Sequence, residues 1–254
     1  MTRILIVFSA LLLVAGCKKD PPEPHPDPVP EIPGSVSIEM LNRAGTADLE
    51  FGKVFVTAAG DSVKVSKFNY YLSNIVLVRA DGSTFVHPES YFVIRHPNSR
   101  KINVPHVPAG TYTSIRMLIG VDSLRNCSGS QTGGLDPSVN GDMFWSWNTG
   151  YIFMKLEGTS PSIPESNQAF TFHIGGFKGA DKAYRQVNID LGSTPLVVTD
   201  KVSNVKLSAD AASVLDGPHL ISLKDFSYQM QPGPGAKKLA DNYSDMISLE
   251  SVQN

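Results

Sequence analysis

The chain has 254 residues, 18% of them charged, with 22 basic against 24 acidic side chains and a formal net charge of −2. A nucleic-acid partner wants a concentrated basic face, and this balance provides none. The only cysteines are Cys17 and Cys127.

Arg3 is followed by an apolar run over residues 4–14, too short to span a bilayer and flanked as a secretory signal is. The run closes on Leu13-Val14-Ala15-Gly16-Cys17, which resembles a bacterial lipobox. Residues 1–16 are therefore expected to be removed and Cys17 to carry the lipid that anchors the protein to a membrane. Lys18 follows Cys17, where an Asp would resemble an inner-membrane retention signal, so the outer membrane is expected, facing the periplasm or the cell surface. With Cys17 lipidated, Cys127 stands alone and no internal disulfide forms, so stability has to come from burial and strand pairing. Residues 17–34 read as a tether: Pro recurs at short intervals, favouring extended polyproline II and excluding a packed core.

From residue 35 the pattern is short strands with turn punctuation. Val36, Ile38 and Met40 alternate, and strands are predicted over 51–57 and 63–78. Asp81-Gly82 marks a hairpin turn, since Gly takes positive φ without steric cost. Short strands follow over 85–87 and 91–94. Pro105, Pro108 and Gly110 break the chain, and 112–121 is a strand again. Residues 122–142 form a long polar loop, of the kind that is usually functional or disordered. Later strands are predicted over 151–157, 169–174, 186–191, 196–199, 205–207 and 220–223. Residues 237–248 alone have helical spacing, through Leu239, Tyr243, Met246 and Ile247. The fold class expected is an all-β, immunoglobulin-like sandwich over 35–231, with long loops and a partly helical C-terminal tail, 232–254.

Two stretches carry the functional signal. Residues 141–158 hold both tryptophans, Trp145 and Trp147, with Phe144, Tyr151 and Phe153, in a chain that is 9% aromatic. As a strand, Met143, Trp145, Trp147, Tyr151 and Phe153 would share a face. In residues 169–174, Phe170, Phe172 and Ile174 share one face and His173 projects from the other, with Gly175-Gly176 allowing close approach. The remaining described motifs of enzymes, such as a zincin helix, a nucleophile elbow or a Walker loop, do not occur, so the reading is a binding protein rather than an enzyme.

The run Met143-Phe144-Trp145-Ser146-Trp147-Asn148-Thr149-Gly150-Tyr151-Ile152-Phe153, with Phe172-His173-Ile174-Gly175 and Gly120-Val121-Asp122, resembles the motifs of MbnP-like copper-binding proteins. The resemblance covers most of residues 36–231 and implies copper as the cofactor. His173 would be a ligand, with Cys127 and Met143 as co-ligands, and Trp145, Trp147 and Tyr151 lining the site. It further implies a dihaem peroxidase-like partner that oxidises a tryptophan, Trp145 or Trp147 here, to kynurenine. Calcium is the runner-up ion, through Asp122, Asn126, Asp136, Asn140 and Asp142. The alternative function is a glycan-binding or adhesion lipoprotein stacking sugars on Trp145, Trp147 and Tyr151. His25, His87, His96, His106 and His219 are assigned to no site.

Overall fold

The computed structural model describes residues 32–129, 131–147 and 150–254. Cys17, the leader and the tether as far as residue 31 lie outside the described residues. The described residues belong to a single compact unit.

Two sheets face each other, as expected for an all-β sandwich. The smaller is built on Gly34–Ala44, where Val36, Ile38 and Met40 are buried and their neighbours are not. This strand lies parallel to Val202–Asp210, from Ser35 opposite Val202 to Arg43 opposite Asp210. The larger sheet is organised by an 18-residue strand, Ser62–Arg79. To one side lie Gly110–Ile119 and Arg185–Asp190; to the other lie Met154–Thr159, Ala169–Ile174 and the short Tyr228–Gln229. Phe68, Tyr70, Leu156, Phe170 and Phe172 point inward and are fully buried or nearly so. Among the described residues, no helix is long and apolar enough to cross a membrane.

Four expectations change. Residues 101–107, predicted to break at Pro105, form a strand antiparallel to Gly34–Ala44. The register shifts between Gly34 and Val36, opposite Pro105 and His106, and His106 takes φ +57°. At an edge, inside a bulge, a proline's missing N–H breaks no ladder. Residues 220–223 are not a strand: Ile221 and Leu223 are buried, but Leu220 makes only an isolated bridge to Asp216. Apolar alternation there signals burial without pairing. The predicted strand over 151–157 divides into Gly150–Tyr151 and Met154–Thr159, which pair with different partners. Finally, the segment set apart as a tail is part of the sandwich. Its helix is Pro234–Tyr243, and Ile247–Gln253 then pairs with Val202–Asp210.

Candidate functional site

The site lies on the outer face of the larger sheet. Side chains alternate along a strand, so residues between the core positions stand on that face. Cross-strand register lines up Arg95, Asn69, Lys155 and His173 in one row across four strands. The next row holds Lys67, Glu157, Thr171 and Tyr228. These are polar residues, yet Asn69, Lys155 and His173 are buried, the last at 8% exposure.

The cover comes from the polar loop and the tryptophan segment. Much of the loop is regular: Asp122 caps the helix Ser123–Cys127, Asp136 caps Pro137–Asn140, and two short 3₁₀ turns, Gly133–Leu135 and Gly141–Met143, flank the latter. It is tied down from below. Tyr71 Oη donates to the Gly134 carbonyl at 3.1 Å, Tyr151 Oη to that of Leu135 at 2.6 Å, and Tyr91 Oη to Asp122 at 2.6 Å. Arg95 donates to Asn140 at 2.9 Å and to Asp142 at 2.7 Å. Phe144–Trp145 then folds back on Gly150–Tyr151 as a two-residue ladder.

Gly175 receives the indole of Trp145. A Cβ at position 175 would sit 2.8 Å from Cη2 and Cζ3 of that ring and 2.6 Å from the Tyr151 carbonyl oxygen. Trp145 is therefore seated two positions beyond His173, and it is 3% exposed. Its Nε1 is buried with no hydrogen-bond partner among the described residues. Trp147, with its ring centre 5.7 Å from that of Trp145, is 60% exposed.

His173 Nε2 lies 2.7 Å from Glu157 Oε1, which fixes the ring's orientation. Burial opposes ionisation of Glu157, but the hydrogen bond from His173 and the charge of Lys67 outweigh it and hold the carboxyl below its usual range. An ionised carboxylate only accepts, so Nε2 carries the proton. Burial, reinforced by Lys155, keeps the imidazole pKa low against the opposing pull of Glu157. The ring is thus neutral, with its proton on Nε2 and a lone pair on Nδ1. A carboxylate behind an imidazole is the arrangement that orients histidine metal ligands. Lys155 is itself shifted down, by burial first and then by Lys67. Among the described residues no hydrogen bond or ion pair engages it.

The other predicted positions differ in burial. Met143 is fully buried, while Cys127, ending its short helix, is exposed. Among the described residues no group of three or more His, Cys, Asp and Glu side chains is placed to hold a metal. The oxygens considered for calcium are engaged internally: Asp122 with Tyr91, Asn74 and Arg125, Asp136 with Ser138, Asn140 and Asp142 with Arg95. Trp145 and Tyr151 are too buried to stack on a sugar; of that trio only Trp147 is open.

The MbnP family model matches residues 33–231, a span that includes every residue of this site. The chain belongs to the MbnP family. Among solved structures, MbnP from Methylosinus trichosporium aligns with a TM-score of 0.52 at 13% identity, covering 86% of this chain and 98% of that one. At that identity the likeness speaks for the fold. No curated protein matches. In this MbnP-family chain the sequence pointed to His173 and the tryptophans but missed Glu157 and Lys155. Their alternation with Met154 and Leu156 placed them on an outer face; only strand register put that face beside His173.

Proposed function

We propose that this protein is an exported, lipid-anchored copper-handling member of the MbnP family, acting by binding rather than by catalysis. Cys17 carries the anchor, and the outer membrane is the site of residence. One observation carries the reading: a neutral imidazole, held through Nε2 by Glu157, is buried beneath a tryptophan segment on the outer face of the larger sheet. A neutral nitrogen donor suits copper, and the borderline-to-soft character of monovalent copper suits imidazole with sulfur or aromatic neighbours. Trp145 is the indole a dihaem peroxidase-like partner would convert. It sits on Gly175 with an unanswered N–H, whereas Trp147 is turned to solvent. Opening that indole would replace an orphaned donor with an aryl amine, a nitrogen able to join the metal.

Anaerobic Cu(I) titration against a competing chelator tests this. Stoichiometric binding is expected in the unmodified protein and its loss in His173→Ala. Glu157→Gln, which keeps the shape but not the charge, should weaken binding by about 10-fold or more. Equal affinity in His173→Ala and the parent would remove the proposal.

A further inference from the structure

Tyr228–Gln229 runs parallel to the histidine strand, with Tyr228 opposite Thr171 and Gln229 opposite Phe172. The strand ends there; the same register carried one residue further would set Met230 opposite His173. The chain stays alongside: a Cβ on Gly176 would lie 3.1 Å from Cβ of Pro232. Residues paired in a parallel ladder share a face, so Tyr228 stands on the outer face with Thr171, and a chain that keeps the alternation for one more pair of residues returns Met230 to that side. Met230 also lines an open cavity of about 320 Å³ with Trp147, Tyr228, Gln229 and Gln231.

Two features of this cavity ask for a ligand. Met40, Met117, Met143, Met154 and Met246 are all at most 2% exposed, so Met230 is the one described methionine outside the core. Of the exposed aromatic rings among the described residues, Trp147 and Tyr228 are the two most open, and both face this space. Its lining offers a thioether, two π faces and two carboxamides, and no charged group. That set is poor for a hard dication, which needs carboxylate oxygens, and good for a soft monovalent one. An indole face adds cation–π attraction.

We infer that Met230 is a sulfur ligand for monovalent copper beside His173, with Trp147 roofing the ion. The inference rests on the copper reading above and replaces Cys127 and Met143 as the source of sulfur. Met230 directly follows the strand that neighbours the one bearing His173, and Trp147 reaches the same region through its contact with Trp145.

The test is X-ray absorption at the copper edge on the full-length protein loaded anaerobically with Cu(I). A sulfur neighbour is expected in the parent and in Cys127→Ser and Met143→Leu, and its loss in Met230→Leu. Losing a direct ligand should weaken Cu(I) binding by more than the roughly 10-fold that an outer-shell partner supplies. A second measurement needs no variant: Ag(I), a redox-inert stand-in, should protect Met230 from peroxide oxidation, read by peptide mass. His173-dependent binding with no sulfur neighbour, a sulfur signal lost in Cys127→Ser, or Met230 unprotected by Ag(I) would each overturn the inference and leave the copper reading standing. Absence of His173-dependent Cu(I) binding would end both. Binding of an oligosaccharide in the cavity, insensitive to Cu(I) and Ag(I), would also overturn it.

Discussion

The two faces of the histidine strand and its neighbours are built from alternate residues of the same segments, yet they obey different rules. The inner face, Phe68, Tyr70, Leu156, Phe170 and Phe172, is apolar and sealed against the opposite sheet. The outer face, Asn69, Lys155, Glu157 and His173, is polar and is nevertheless largely withdrawn from water by the tryptophan segment and the loop before it. Burial on the inner face stabilises through hydrophobic transfer and packing. Burial on the outer face costs free energy unless each group is partnered, and Trp145 Nε1 is not, among the described residues. A folded chain keeps such a face when the face has a use.

Substitutions separate the two. The largest effect is expected for Phe172→Ala, which opens the inner face and should lower stability by about 3–5 kcal/mol in denaturant unfolding. Gly175→Ala comes next. Its methyl would strike the Trp145 ring and the Tyr151 carbonyl, and overpacking of this kind costs about 1–3 kcal/mol. Trp145 fluorescence should shift with it, measured in a Trp147→Phe background; an unchanged emission would mean that the indole is not seated there. The smallest effect is expected at Lys155. Lys155→Met removes a charge that burial disfavours, so stability should be unchanged or raised by about 1 kcal/mol. The same change should raise the His173 pKa, read by NMR, because Lys155 helps to hold it down.

The pH dependence follows from that histidine. Its folded pKa lies below the unfolded value of about 6.5. Above that pH the ring is neutral in both states and the contribution is fully present. As pH falls through about 6.5 towards the folded pKa, the unfolded chain takes up a proton first, and stability is lost. His87 and His96 are depressed by burial as well, so the quantity to measure is the difference between the parent and His173→Gln.

Much of this architecture could be read from residue order. Alternation in 36–40, 63–78 and 169–174 identified strands and their buried sides, because a period of two depends only on local backbone geometry. It also set His173 apart from Phe170, Phe172 and Ile174, and the tryptophan motif pointed to the right family. Pairing was not available by the same route. That Gly34–Ala44 lies parallel to Val202–Asp210, that Pro105 is harmless at a bulged edge, and that Ile247–Gln253 closes the smaller sheet are outcomes of long-range packing.

The sequence by itself set one imidazole apart from the apolar face of its strand and marked two indoles close together in the chain, one of which is buried and the other open. Tertiary structure alone decided their company. Strand register brought Glu157 and Lys155 beside His173, and a short parallel strand some sixty residues downstream, Tyr228–Gln229, lies along the same strand. Local periodicity fixes the direction of a side chain, whereas its neighbours across a sheet depend on which strands find the lowest free energy together.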